Sequence, residues 1–144
     1  MYTEQLTQAL SVAAAPVHAQ TLNNATLQTG GIDMSKFKRA LFVVDVGATG
    51  AGFSVTALLQ ESPDLSSWFT LAGTTINAIT AQSKVATLEC RSDQLTSTRR
   101  YLRCAVTEGN GQNVSVAVIP LGGEAVQKPG SAQDHTSVAQ RLVL

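Results

Sequence analysis

The alternation of apolar and polar residues through residues 36–123 is the feature that most constrains what this chain can fold into. A period of two places the apolar side chains on one face of an extended strand and the polar side chains on the other. The segments Phe53–Gln60, Lys84–Arg91 and Arg99–Thr107 follow this pattern most closely. Each of them is therefore predicted to be a half-buried β-strand.

More extended segments are predicted beside these three. They are Arg39–Val46, Trp68–Ala72, Thr74–Thr80 and Asn113–Leu121. The unbroken apolar run Leu41–Val44 predicts that the first of these strands is buried on both faces. Pro120 has no N–H to donate, which predicts that the last strand lies at a sheet edge or ends at this residue.

Glycine and proline mark the turns between the predicted strands. Gly47–Gly52 and Glu108–Gly111 predict hairpin loops, and Ser62–Asp64 has the composition of a tight turn. No strand–helix–strand alternation runs through the sequence. About six to eight strands at this spacing predict an all-β fold, either an antiparallel β-sandwich or a jelly-roll-like barrel with extended N- and C-terminal arms.

The two ends of the chain differ in texture from the middle. We predict an N-terminal arm of residues 1–35, a β-sandwich core of residues 36–123 and a C-terminal arm of residues 124–144. Within the first arm, Glu4–Ala14 carries apolar residues at helical spacing. Thr3 can cap this segment and Pro16 stops it, so a short helix is predicted there.

Charge is scarce and balanced, which excludes some classes of partner. Only 14% of the residues are charged, and the formal net charge is zero. Nucleic-acid binding needs a basic surface, and the nearest group, Arg99, Arg100 and Arg103, is small. The best apolar run, Ala40–Val44, is far too short to span a membrane. We expect neither a nucleic acid nor a membrane as partner, and we expect the chain to be made in a cytoplasm because Met1–Gln5 carries no positive charge typical of a signal peptide.

Residues with chemical potential do not form a recognisable catalytic pattern. Asp134, His135 and Ser137 lie next to one another, whereas the members of a catalytic triad converge from separate elements. The only histidines, His18 and His135, lie in opposite arms, which disfavours a metal site. We therefore expect no enzyme activity, no cofactor and no metal.

Three other residues leave alternatives open. Asp45 ends an apolar strand, where it could accept hydrogen bonds from the Gly47–Gly52 turn or pair with an arginine across a subunit contact. Cys90 and Cys104 are predicted on neighbouring strands of one hairpin, facing the same side. They are expected to be buried thiols, with a disulfide formed outside the cell as the alternative.

Four stretches of the sequence together resemble one class of protein. They are Gly31–Val44, Ala57–Trp68, Arg100–Cys104 and Val118–Ala125. They resemble small structural virion proteins of tailed bacteriophages and related prophages, over roughly residues 22–125. The resemblance lies in sequence texture and brings no catalytic residues with it.

The resemblance implies a capsid decoration or cement protein on the virion surface. Such a protein would form a homotrimer and bind the major capsid protein on the outside of the head, which it would stabilise through subunit contacts. Two alternatives remain: a head–tail or tail accessory structural protein, and a β-sandwich module that binds glycans or a host surface.

Apolar ends and exposed aromatic residues suggest where partners would bind. A lone tryptophan in a short strand is more often core or interface than a sugar-stacking platform. Apolar arms need a covering surface. The candidate interface residues are Leu6, Leu10, Trp68, Tyr101, Leu142 and Leu144.

Overall fold

Two antiparallel sheets stack face to face in the computed structural model, which describes residues 5–47 and 50–143. The strands are β1 (Leu10–Val12), β2 (Val17–Leu22), β3 (Thr26–Gln28), β4 (Ile32–Asp33), β5 (Phe37–Val46), β6 (Val55–Ser62), β7 (Phe69–Thr70), β8 (Lys84–Arg91), β9 (Tyr101–Glu108) and β10 (Val114–Ala125). A one-turn helix α1 (Leu6–Ala9) and two short 3-10 helices, Ser92–Gln94 and Gly130–Gln133, complete the described elements. The all-β, sandwich-like prediction is confirmed.

Successive long strands alternate between the two sheets. Sheet A has the order β1-β10-β5-β8, with β2 also pairing with β10, and sheet B has the order β3-β9-β6-β7, with β4 also pairing with β9. The predicted hairpins at Gly47–Gly52 and Glu108–Gly111 are therefore wrong, because both turns carry the chain from one sheet to the other. Gly52 and Gly111 still serve as turn residues, with φ of +88° and +70°. Alternation specifies which face of a strand is buried, but it does not specify the partner strand.

The segment predicted as an N-terminal arm lines one edge of each sheet. β1 and β2 pair with β10, and β3 and β4 pair with β9. The helix predicted over Glu4–Ala14 is wrong beyond Ala9, because Leu10–Val12 pairs with β10 instead. Pairing of a whole strand outweighs the helical propensity of so short a segment. Thr3 and Glu4 lie outside the described residues.

The C-terminal segment lies along the outer edge of β1. The backbone N–H of His135 donates to the Val12 carbonyl at 2.7 Å, and the Val12 N–H donates to the Asp134 carboxylate at 3.0 Å. Arg141 holds that carboxylate with both Nε and Nη2. The described parts of the N-terminal and C-terminal segments thus both contact the sandwich. The division of the chain into 1–35, 36–123 and 124–144 stays a prediction.

The core lies between the sheets and is formed by the inward side of every long strand. The largest apolar side chains that are fully buried are Phe37, Phe42, Leu22, Ile32, Leu59, Leu102, Val44, Val46, Val55 and Val106. Gly122 lacks a side chain for a steric reason, since a Cβ there would lie 2.5 Å from the Phe37 ring. The prediction that Leu41–Val44 is buried on both faces is wrong for this chain by itself, because Leu41 and Val43 point outward and stay half exposed.

Pro120 and the segment after β7 also differ from prediction. β10 is a central strand that runs past Pro120 to Ala125. Pro120 lies opposite the gap between β1 and β2, where its carbonyl accepts the Ala13 N–H. The N–H that Pro120 lacks would point to the same side, so its absence interrupts no pairing with β5. The strand predicted over 74–80 is reduced to an isolated bridge between Ile79 and Val55, and the Ile76 N–H also donates to the Ala57 carbonyl. At the start of this segment the Thr74 hydroxyl accepts the Leu59 N–H at 3.0 Å in place of a backbone group.

The two cysteines lie on different sheets. Cys90 is on β8 of sheet A and Cys104 is on β9 of sheet B, so the predicted shared hairpin is wrong. Both are buried free thiols. Burial raises the pKa of Cys90 to about 11, with the nearby Glu61 carboxylate adding to the effect, and burial raises the pKa of Cys104 to about 12.

A buried glutamate, Glu108, ties together the three loops at one end of the sandwich. Its carboxylate accepts five backbone N–H groups, with N···O distances between 2.8 and 3.3 Å, from Asn24, Ser54, Asn110, Gly111 and Gln112. These donors belong to the β2–β3, β5–β6 and β9–β10 connections. Burial alone raises the pKa of Glu108, but the donated N–H groups outweigh it and the pKa is lowered.

A second buried glutamate, Glu61, holds the opposite end. Its carboxylate accepts the Thr96 N–H at 2.8 Å, the Thr96 hydroxyl at 2.7 Å and Arg99 Nη1 at 2.6 Å. Burial alone raises the pKa of Glu61, yet the bonds from Thr96 and Arg99 lower it overall. The crossover from β8 to β9 is fixed to β6 by this carboxylate.

Replacing Glu108 by Gln should lower the melting temperature by about 5 °C or more. In either orientation an amide presents an NH2 group to at least two of the five N–H donors. The matched control is Glu89→Gln, which changes an exposed glutamate of sheet A. Thermal unfolding followed by circular dichroism measures both, and equally small shifts would contradict the role given to Glu108.

Acid should destabilise the fold through these carboxylates. Glu108 and Glu61 have lowered pKa values in the folded state, so their contribution is complete above the ordinary value of 4.5 and is lost as the pH falls through the folded value. Urea midpoints between pH 7 and pH 3 should fall steeply below about pH 4.5. The fall should be shallower in Glu108→Gln than in Glu89→Gln.

Reducing agents should leave stability unchanged. The described thiols are free and buried, and their raised pKa values keep them protonated at neutral pH. The melting temperature should agree with and without reductant, and a thiol reagent should label Cys90 and Cys104 only after denaturation. A large drop on reduction would reveal a disulfide.

Candidate interaction surfaces

A stiff loop after β6 places Trp68 on the outer face of sheet B. The Ser62 hydroxyl accepts the backbone N–H groups of Asp64 and Leu65, and the Asp64 carboxylate accepts those of Ser66 and Ser67. Leu65 adopts the left-handed conformation with φ of +65°, which is rare for a branched side chain. The indole N–H of Trp68 then donates to the Leu65 carbonyl at 3.1 Å.

Three arginines from one short stretch each face an aromatic ring. The guanidinium carbons of Arg99, Arg100 and Arg103 lie 3.9, 5.0 and 4.1 Å from the ring centres of Phe69, Tyr101 and Trp68 respectively. We call these six residues the arginine–aromatic surface. Tryptophan, tyrosine and arginine are the residues enriched where protein interfaces hold most of their binding energy.

The three arginines differ in their charge partners. Arg99 pairs with buried Glu61, and Arg100 pairs with Asp33 at 2.5 Å. Burial alone raises the pKa of Asp33, but the bonds from Arg100 and Ser35 lower it overall. Arg103 donates Nε–H to the neutral Gln60 amide oxygen at 2.8 Å.

Gly31 allows the loop to close against sheet B. A Cβ at this position would lie 2.5 Å from Leu65 Cδ2 and 2.9 Å from Trp68 Cη2. Trp68 is therefore held between Gly31 and the Arg103 guanidinium. With one ring face covered by Arg103, it is a poor open platform for a sugar.

The outer face of sheet A carries a group of apolar side chains, bordered on β8 by Thr87 and Glu89, which lie opposite Val43 and Leu41. The outward apolar residues, which we call the apolar face, are Leu41, Val43, Val85, Ala117, Ile119 and Leu121. Ile119 is 46% exposed and Val85 is 62% exposed. Leu41 lies opposite Leu121, and Val43 lies opposite Ile119. Asp45 is exposed within this face, between Val85 and Ala117 in register.

The candidate interface residues at the chain ends lie apart from Trp68 and Tyr101. Leu6 and Leu142 are 76% and 75% exposed. Leu10 is half buried in β1, and α1 packs near the 3-10 helix Gly130–Gln133. Leu144 lies outside the described residues. The assignment of these six positions to an interface stays a prediction.

An opening of about 440 Å³ separates β8 from the segment after β7. Leu59, Leu71, Ile76, Leu88 and Cys90 form its apolar part. Among the described strands β8 pairs with β5 alone, so its other edge faces this opening. Thr87, Glu89 and Gln94 are among the polar residues at the opening.

The candidate metal ligands and the group Asp134, His135 and Ser137 can be followed in the described part of the chain. No group of three His, Cys, Asp or Glu side chains could hold a metal ion within residues 5–47 and 50–143. His135 Nδ1 lies 3.0 Å from the Ser137 hydroxyl, but Asp134 is engaged by Val12 and Arg141. None of the helices in this part of the chain is long and apolar enough to cross a membrane.

The sequence analysis names Trp68 and Tyr101 as candidates but does not name the residues around them. The three arginines were considered only as a weak basic group, although their spacing next to Tyr101 indicated an aromatic neighbourhood. The apolar face was also missed. The run Leu41–Val44 indicated this face, because an unbroken apolar run places apolar side chains on both faces of an antiparallel sheet.

Comparisons with known proteins support the fold. The sequence matches no family model and no curated protein. The structure is similar to that of the PBSX exported protein XepA, with a TM-score of 0.55 and 15% identity over 93% of this chain and 43% of that one. A weaker likeness is to an infectious bursal disease virus structure, with a TM-score of 0.47 and 10% identity over 85% of this chain and 33% of that one. Another is to a Clostridium thermocellum xylanase 10B fragment with a CBM22 module, with a TM-score of 0.44 and 7% identity over 82% of this chain and 27% of that one.

At this level of identity the likeness to XepA shows the fold alone. The chain spans less than half the length of that protein. What the comparison establishes is a two-sheet antiparallel sandwich of a kind found within a longer exported protein.

Proposed function

We propose that this chain is a phage capsid decoration protein. It binds the major capsid protein on the outside of the head, associates with itself as a homotrimer and stabilises the head through these contacts. It would be located on the virion surface after synthesis in the host cytoplasm. The proposal involves no enzymatic step and no cofactor.

The apolar face of sheet A is the observation that carries the proposal. An antiparallel sheet commonly has one face on the core and one solvated, polar face. Here the outer face carries Leu41, Val43, Ile119 and Leu121 in adjacent register. A second subunit that covers it would bury both faces of β5, which explains the unbroken apolar run in the sequence.

The arginine–aromatic surface supports a second, different contact. It lies on sheet B, across the sandwich from the apolar face, so one protein can contact sister subunits and the head at once. Its loop is held rigid by Ser62, Asp64 and Gly31, and a rigid surface loses little conformational entropy on binding. We assign the head contact to this surface.

Support for a phage origin comes from two sides. The sequence resembles small structural virion proteins over roughly residues 22–125. The fold is shared with the phage protein XepA. Neither specifies decoration, so the proposal depends on the two surfaces.

Binding to empty heads tests the proposed function. Full-length protein should co-sediment with expanded heads that lack it and should raise their resistance to heat. Trp68→Ala should reduce occupancy about tenfold or more, since buried aromatic anchors dominate interfaces. The control is Gln28→Ala, an exposed residue elsewhere on sheet B. Absence of binding by the wild-type protein would contradict the decoration function.

Disrupting the apolar face should disrupt self-association. Ile119→Lys should shift the mass from three chains towards one, because the oligomer would bury an unpaired charge. Gln28→Lys adds the same charge to sheet B and should leave the mass unchanged. Light scattering after size-exclusion chromatography measures both, with circular dichroism as the check on folding. A wild-type monomer at every concentration, both free and on heads, would contradict the trimer.

A further inference from the structure

Arg103 differs from the other two cations of the arginine–aromatic surface in its partners. Arg99 and Arg100 are neutralised by Glu61 and Asp33. No carboxylate of residues 5–47 and 50–143 lies within 4.0 Å of the Arg103 guanidinium. Its partners there are the neutral Gln60 amide and the Trp68 ring.

This arrangement is costly for a charge that is half buried. Removing a cation from water without a counter-charge is unfavourable. Burial correspondingly lowers the pKa of Arg103. Its described hydrogen bond uses Nε alone, which leaves the terminal nitrogens to donate elsewhere. The Nε hydrogen bond to Gln60 and the Trp68 ring 4.1 Å away hold the guanidinium in position for an incoming acceptor.

We propose that Arg103, stacked on Trp68 beside Tyr101, binds the carboxylate of an acidic side chain on the partner protein. The inference rests on the proposed function, since that partner is the capsid subunit. A carboxylate matches the guanidinium in charge and shape and forms paired, charge-assisted hydrogen bonds with it.

One protein carboxylate fits this site better than a run of phosphates. Nucleic acids are bound by several basic groups that are free to neutralise phosphate. Arg99 and Arg100 are already paired with acids, so a single uncompensated charge remains. The formal net charge of zero also provides no attraction for a polyanion.

The chain contains a natural reporter for this test, because Trp68 is its only tryptophan. The probe is a blocked peptide of alternating Glu and Gly, and its neutral counterpart has Gln in place of Glu. The Glu peptide should change the fluorescence of Trp68 and bind more weakly as salt is added. Calorimetry should give the same affinity. No binding of the Glu peptide at millimolar concentration, or equal binding of the Gln peptide, would overturn the proposal.

Matched arginine variants locate the effect. Arg103→Gln should weaken binding about tenfold or more, whereas Arg39→Gln, which removes the same charge from sheet A, should not change it. Arg103→Lys should restore part of the affinity, because a lysine keeps the charge but loses the planar fork. Wild-type affinity in Arg103→Gln would refute the assignment.

Heads with amidated carboxylates separate this inference from the decoration function. Loss of binding after amidation supports carboxylate recognition. If untreated and amidated heads bind equally, or if Arg103→Gln binds heads normally, the inference fails while decoration stands. If the Glu peptide binds in an Arg103-dependent way but heads are not bound at all, carboxylate recognition stands and the decoration function fails.

Discussion

Two buried carboxylates hold the crossings on which this sandwich depends. Because successive long strands belong to opposite sheets, the chain must pass across the ends of the sandwich several times, and the crossing loops leave backbone N–H groups to be satisfied. Glu108 accepts five of these groups from three loops at one end, and Glu61 anchors the β8–β9 crossing at the other. Apolar packing fills the space between the sheets, whereas the glutamates hold in place the loops that connect the strands.

The same arrangement separates two surfaces of different chemistry. Sheet A turns an apolar face outward, and sheet B carries arginines stacked on aromatic rings. Glu61 links the core to the second surface, since it holds Arg99, which in turn lies over Phe69. A residue that stabilises the fold therefore also positions part of the candidate interface, so stability and binding are coupled at this end of the molecule.

The sequence predicted the fold class and most strands, and its errors have physical reasons. Lys84–Arg91 is a strand with the predicted limits, because alternation there is clear and the flanking residues favour turns. The hairpins at Gly47–Gly52 and Glu108–Gly111 were wrong because turn chemistry is the same whether a chain reverses within a sheet or crosses between sheets. The helix predicted over Glu4–Ala14 ends at Ala9, because Leu10–Val12 pairs with β10, a strand far away in sequence. The sequence names Trp68 and Tyr101 as candidate interface residues, and the structure places them on one surface. The contact of Arg103 with Trp68 depends on the geometry of the loop after β6, so the positions of these residues in the sequence could not predict it.

The edge strands of the N-terminal segment have a consequence for how the protein forms. β1 pairs with residues of β10 that lie more than a hundred positions later in the chain, and β3 pairs with β9, which is also distant. During synthesis the first strands therefore emerge long before their partners exist. Closing such large loops is slow, and contacts between remote segments lengthen the folding time. Sheet B cannot be complete before Glu108 has been synthesised, and sheet A cannot be complete before Ala125, so the earliest strands remain unpaired until then.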